Sequence, residues 1–474
     1  MATRGTAIRP WPPRWVIPLL AMSPLVTACN VQCRGPACED AYPEGRVDVL
    51  GDLPLDGREV LIDEVARGSI LGSVVSGSAF SVAATPDGIV VGQPEARTVR
   101  HFEIPESNVL DEASDTLWAS FDDGYGTDIA VMPEADGIGW SLVVAAPESD
   151  RGRGVIRVYH EADQATVEVA HTLRGTAQGD RLGQQIRLCP DRSGDGVPEL
   201  LISAPWMQPN AALTEDLPAL AGVVFLVDSE DLDAAPGAGE ITPVLDVAIA
   251  WWGSAVGDSL GVGLDCSNDL DGDGQFDILL GAPQANGSAG IVYVLASSDG
   301  FSSGPIDERA RLQLGGQDVE TFGTSIVSFQ RPEGPQVLIG APGFEAGRGA
   351  AVWFDARDFA TANVLRARSR FESDRTNADH FGRTVAVAEL DGDGLPDLLI
   401  GGPDRRVGQL YDVGQLAIFL GSRTLDILTA SGEADLSITD DQGFRRVGRR
   451  VVVHDVDGDG LDELLLPTRS PRSR

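Results

Sequence analysis

One pattern recurs along the whole chain: an apolar or aromatic residue and glycine, then a turn, then an apolar run ending in Pro. The Xaa-Gly marks are Leu71-Gly72, Tyr125-Gly126, Leu182-Gly183, Leu260-Gly261, Phe322-Gly323, Phe381-Gly382 and Val447-Gly448. The runs they lead into include CPDRSGDGVPELLISAP from Cys189, NDLDGDGQFDILLGAP from Asn268, ELDGDGLPDLLIGGP from Glu389 and HDVDGDGLDELLLP from His454. Plainer copies, TPDGIVVGQP from Thr85, EADGIGWSLVVAAP from Glu134 and RPEGPQVLIGAP from Arg331, keep the frame without the acidic turn. After the proline comes a glycine and alternating apolar residues, as in GVIRVY from Gly154, GVVFLV from Gly222, GIVYVL from Gly290, GAAVWF from Gly349 and GQLAIF from Gly414. A fourth, variable segment follows, such as ATVEVAHTL from Ala165 or ARLQL from Ala310. Period-two alternation broken by turn residues means strands. A unit this short cannot bury its own core, so the copies must pack on one another.

Four strands per copy predict an all-β chain: a seven-bladed β-propeller of four-stranded antiparallel blades. The last copy stops at Pro467 with two strands made. Gly45–Leu50 has the form of a third strand and Arg58–Val65 of a fourth. The expectation is a last blade closed by strands from both chain ends, which also removes an exposed edge. Phe-Gly, acidic turn and Gly-Ala-Pro in this order resemble the FG-GAP repeat and, over residues 45–467, the propeller of integrin α subunits. The resemblance implies that each acidic turn joins the first and second strands of a blade, and that ligands meet the opposite face.

The acidic turns place oxygen-bearing side chains at positions 1, 3, 5 and 9, with glycine at 6. The sets are Asp191, Ser193, Asp195 and Glu199; Asp269, Asp271, Asp273 and Asp277; Glu389, Asp391, Asp393 and Asp397; and Asp455, Asp457, Asp459 and Glu463. So many carboxylates in one turn repel one another unless a cation sits among them. Ca²⁺ takes six to eight oxygens in flexible geometry, and about four ions are expected. An EF-hand is excluded, because position 12 is Ile202, Leu280, Ile400 or Leu466 where that motif needs a bidentate Glu. Acid–base catalysis needs carboxylates in unlike environments, which equivalent copies do not offer. The five histidines, His101, His160, His171, His380 and His454, form no cluster by sequence, so no catalytic constellation is expected.

Residues 1–28 read as a lipoprotein signal peptide: Arg4, Arg9 and Arg14, an apolar run from Trp15, and Val26-Thr27-Ala28 before Cys29, which resembles the lipobox of bacterial lipoproteins and makes Cys29 the expected lipidation site; an ordinary signal peptide that contains this cysteine is the alternative. Residues 29–44 form a tether, 45–467 the propeller and 468–474 a tail. This predicts export and lipid anchoring to a bacterial envelope, with no other membrane contact. Cys33 and Cys38 could close a small tether disulfide. Cys189 and Cys266 stand just before two acidic turns and are either a disulfide or two buried thiols. A formal net charge of −36 argues against nucleic-acid partners. Loops after each proline and the links between copies vary most, and on them Trp206, Trp252, Arg405, Arg406 and Tyr411 are the candidate ligand-face residues. The expected function is a calcium-binding adhesion or ligand-binding module, a monomeric ring meeting a protein or glycan. The alternatives are a propeller enzyme of glycan lyase or hydrolase type, and a passive structural subunit of an envelope assembly.

Overall fold

A computed structural model describes residues 44–50, 59–61, 72–77, 81–86, 88–103, 116–120, 122–134, 139–160, 169–209, 219–233, 240–316, 320–422, 428–440, 443–455 and 458–469. The signal segment, Cys29, Cys33, Cys38 and most of the tether lie outside the described residues.

The described strands form seven sheets, each built on four antiparallel strands. Sheet I holds Ser81–Thr85, Gly88–Gln93, Thr98–Glu103 and Thr116–Ala119. Sheet II holds Ile129–Pro133, Trp140–Ala146, Val155–Tyr159 and His171–Arg174. Sheet III holds Ile186–Cys189, Glu199–Ala204, Val223–Val227 and Ile249–Trp252. Sheet IV holds Gly263–Asp265, Ile278–Ala282, Ile291–Leu295 and Leu312–Gly315. Sheet V holds Ser325–Arg331, Gly334–Ala341, Ala350–Asp355 and Arg366–Glu372. Sheet VI holds Thr384–Ala388, Asp397–Gly401, Leu416–Phe419 and Leu436–Thr439. Sheet VII joins Val452–His454 and Glu463–Arg469, from one end of the chain, to Glu44–Leu50 and Gly72–Gly77 from the other.

Each of the apolar clusters lies between two consecutive sheets. Tyr125 and Trp140 pack against Val90 and Val99 between sheets I and II, and Phe381 and Val385 against Phe371 and Leu338 between V and VI. Second strands are sandwiched on both faces, so Trp140–Ala146, Glu199–Ala204 and Asp397–Gly401 are buried from end to end. This is the propeller arrangement: small sheets stacked face to face around an axis. Asp128, just before sheet II, accepts hydrogen bonds from the Ile186 amide of sheet III at 2.8 Å and from Arg450, beside sheet VII, at 2.7 Å.

The glycine frame has a physical cause. Gly281 and Gly401 stand against the backbone of the next sheet, where an added Cβ would lie 1.9 Å from the carbonyl oxygens of Gly323 and Gly448. Sheets II and III carry Ala145 and Ser203 at the corresponding place, and there the Gly126 and Gly183 amides still bond to the Ala145 and Ser203 carbonyls. Gly401→Ala is therefore expected to destabilise the fold by about 2–3 kcal/mol in urea unfolding, by overpacking. Ala145→Gly should cost about 1 kcal/mol or less. Equal costs would show that the close approach is not what selects glycine.

The structure corrects one strand. The fourth strand of sheet VII is Gly72–Gly77, not the segment from Arg58. Glu59–Leu61 instead pairs in parallel with Ser437–Thr439 of sheet VI. Thr242–Pro243, Gly304–Pro305 and Leu428–Ala430 do the same on sheets II, III and V. Each such segment lies between the third and fourth strands of one sheet and covers the outer edge of the sheet before it, blunting an edge that would otherwise pair with other chains. Gly72 accordingly opens a strand and does not mark the turn into sheet I.

Candidate metal centres

The acidic turns lie between first and second strands, with backbone geometry set by local hydrogen bonds. In the sheet IV turn, Asp269 accepts the amides of Gly272 at 2.5 Å and Gly274 at 2.8 Å, and Asp273 accepts that of Gln275 at 2.8 Å. Gly272 and Gly274 both have positive φ, of 80° and 90°, which a side chain would disfavour. Carboxylate oxygens of Asp269, Asp271 and Asp273 come within 4.8 Å of one another, and so do those of Glu389, Asp391 and Asp393 in sheet VI. In sheet III, Asp191 accepts Gly194 at 2.6 Å and Gly196 at 2.8 Å, and Asp195 accepts Val197 at 2.8 Å. In sheet VII, Asp455 accepts Gly458 at 2.8 Å and Gly460 at 3.0 Å, and Asp459 accepts Leu461 at 2.8 Å. Asp457 lies outside the described residues.

Position 9 is different. Asp277 is fully buried, with Oδ2 accepting the Leu270 amide at 2.7 Å and Oδ1 the Ser297 amide at 2.8 Å. Asp397 accepts Leu390 at 2.9 Å and Gly421 at 2.7 Å, and Glu199 accepts Arg192 at 2.9 Å and Ser229 at 2.8 Å. This carboxylate ties the turn to the end of the third strand. Glu463 is buried as well.

Charge follows burial. Desolvation, with the Asp271 charge adding to it, pushes Asp277 up to about 6. Desolvation pushes Asp397 up to about 7, with Asp391 and Glu389 adding to it. Open to solvent, Asp191 is held below the ordinary carboxylate range by the Gly194 and Gly196 amides. A buried carboxylate crowded by others is costly as an anion, and a divalent cation among them removes that cost. The donor set is all oxygen, which suits a hard cation.

Sequence reading missed the second half of each corner. The Ser229 hydroxyl donates to Asp195 at 2.7 Å, and that of Ser297 donates to Asp273 at 2.9 Å. Both serines stand just past a third strand, after GVVFLVD and GIVYVLA, and that shared position was the available signal. Arg311 also reaches Asp271 at 2.8 Å, an ion pair from the fourth strand region of the same sheet.

The candidate ligand-face residues separate into two groups. Trp206 is 38% exposed with the Arg181 guanidinium over its ring, and Tyr411 is 51% exposed with Arg406 stacked at 3.7 Å. Trp252 and Arg405 are buried. Trp252 belongs to the fourth strand of sheet III and is covered by Gly304–Pro305. Arg405 is spent within the protein, donating to Asp374, just past the fourth strand of sheet V, at 3.1 Å and to Gln415.

Cys189 and Cys266 form a disulfide joining sheets III and IV, which decides between the two readings left open by the sequence. Among the described residues no helix is long and apolar enough to cross a membrane.

Comparison with known proteins agrees with the repeat. The FG-GAP repeat matches residues 267–295 and 381–419. Human integrin alpha-IIb is 34% identical over 104 residues, 20% of this chain and 10% of that protein. Rat phosphatidylinositol-glycan-specific phospholipase D is 31% identical over 86 residues, 18% of this chain and 10% of that protein. The chain thus spans about a tenth of the length of these curated relatives. A solved structure of the Dos1 propeller aligns with 70% of this chain and 67% of its own, at 10% identity and a TM-score of 0.43. With acidic turns, glycine contacts and strand order all following one repeat, the chain is a β-propeller that carries FG-GAP repeats.

Proposed function

We propose that the chain is an exported, calcium-stabilised propeller that presents variable loops to a protein or glycan ligand, in an adhesion or capture role. The convergence of three carboxylates at Asp269–Asp273, repeated at Glu389–Asp393, carries this reading. About four Ca²⁺ ions, one per acidic turn, would be held by the side chains at positions 1, 3 and 5. Position 9 would brace the turn or add a further oxygen. Calcium would supply positive charge and rigidity, and the turns would then lock first to second strand in sheets III, IV, VI and VII.

We read the seven sheets as seven blades of a closed, monomeric ring. Support comes from Glu44–Leu50 pairing between Gly72–Gly77 and Glu463–Arg469, and from the Asp128–Arg450 contact. The exposed pairs Arg181–Trp206 and Arg406–Tyr411 are the parts of the loop face best placed to meet a ligand. Anchoring through Cys29 rests on the sequence of the first 28 residues, and would leave the propeller on an envelope surface with no nucleic-acid contact.

Metal analysis after equilibrium dialysis of residues 39–474 tests the reading. About four calcium ions per chain are expected, and about three in a variant carrying Asp269→Asn and Asp271→Asn. No bound calcium in the folded chain would overturn it.

A further inference from the structure

Sheet V lacks the acidic turn, and its corner carries the opposite charge. The first and second strands are joined by Arg331-Pro332-Glu333-Gly334. Past the third strand, Ala356 takes the place that Ser229 and Ser297 hold in sheets III and IV, and Arg357 follows it directly. Between these turns and the fourth strand lies a cavity of about 360 Å³, lined by Glu333, Asp355, Arg357, Arg366, Ala367 and Arg368. That volume falls in the range of small-ligand sites and suits a single sugar ring.

The arginines are fixed in place. Arg368 lies 4.3 Å from the ring centre of the buried Trp353 and donates to Glu333 at 2.6 Å. Arg357 grips Asp355 through Nε at 2.9 Å and Nη2 at 2.5 Å. Arg366 donates through Nε to Asp358 at 2.6 Å, with 68% of its side chain exposed and both terminal nitrogens free for another oxyanion. Arg368 is the extra residue of a bulge opposite Trp353/Phe354, and both it and Arg366 line the cavity. Three guanidinium groups against two carboxylates leave this lining net positive, in a chain whose total is −36.

We propose that this cavity binds an acidic sugar, a hexuronate unit of an anionic glycan. The mixed lining selects it. Arg366 and Arg368 recognise a carboxylate by charge-assisted hydrogen bonds. Glu333 and Asp355 accept from hydroxyl groups, which a bare inorganic anion does not offer. The site includes no residue of the acidic turns, so it stands whether or not those turns hold calcium.

Isothermal titration with glucuronate tests it, with glucose, acetate and inorganic sulfate as comparators. Saturable glucuronate binding is expected, with Kd on the order of 1 mM for one ring. Glucose lacks the carboxylate, and acetate and sulfate lack the hydroxyls; each should bind at least about tenfold more weakly. Arg366→Gln and Ala367→Glu, both at exposed positions, should each weaken glucuronate about tenfold with an unchanged melt. Val256→Ser, at an exposed position outside the cavity lining, should change nothing. Absence of saturable glucuronate binding, equal binding of any comparator, or full binding by both cavity variants would overturn the proposal.

Discussion

Chelation of calcium should lower the melting temperature of residues 39–474 by roughly 10 °C. With Kd of about 0.1–1 mM per extracellular-type site and calcium near ~10 mM, binding adds about 1.4–2.7 kcal/mol per turn. Four turns then contribute about 6–11 kcal/mol, and a chain of this size shifts by roughly 1–2 °C per kcal/mol. The effect should grow with pH. Asp277 and Asp397 have folded-state values raised to about 6 and about 7. In chelator, stability from their protonated forms is lost as pH rises through that window. In calcium the ionised forms are the ones that bind, so the gap between the two melts should be wider at pH 8 than at pH 5.5. Scanning calorimetry at both pH values measures it. An identical melt with and without chelator would mean the turns are held by their own hydrogen bonds, such as Gly272 to Asp269 and Leu270 to Asp277, without an ion.

Those hydrogen bonds also explain what could be read from sequence. The acidic turn is a local object: Asp269 meets Gly272 and Gly274 within five residues, so its geometry is written in consecutive letters. The glycine frame is legible for a different reason. Gly281 and Gly401 face a backbone with no room for a side chain, and every copy packed that closely must repeat the residue. What failed depends on distant partners. Arg405 looked available because its neighbours in sequence are loop residues, yet Asp374 and Gln415 bury it. Trp252 looked like a linker aromatic, yet strand pairing with Val223 and Pro305 places it in the sheet. Gly72 carried the local Xaa-Gly mark but pairs with Val49. The segment from Arg58 alternates like any strand, and only the preceding sheet's free edge determines that Glu59–Leu61 joins sheet VI. Ser229 and Ser297, which complete the acidic corners of sheets III and IV, sit on the far side of a strand pair from the carboxylates they touch. The arginine-lined cavity of sheet V likewise draws on three separate segments, so no single motif announces it.

Replacing Cys189 and Cys266 together by alanine should destabilise the fold by about 4 kcal/mol, or roughly 6 °C. The bond closes a loop of 77 residues, and constraining that much chain in the unfolded state is the main source of the effect. Its position adds a second consequence. Cys189 lies two residues before Asp191, and Cys266 three before Asp269, so the bond pins the starts of two acidic turns in neighbouring sheets. Both cysteines are buried, which should make reduction of the native protein slow and confine the loss to the double variant or to unfolded chains. If the turns in sheets III and IV depend on that pinning, the variant should bind calcium more weakly at two turns and normally at those of Glu389 and Asp455. Chelation would then cost the variant less than it costs the parent, because part of the calcium contribution has already been lost. Strict additivity of the two effects in a double cycle of calcium and disulfide would instead mean that the turns are set by their own hydrogen bonds, and that the disulfide acts on the unfolded chain alone.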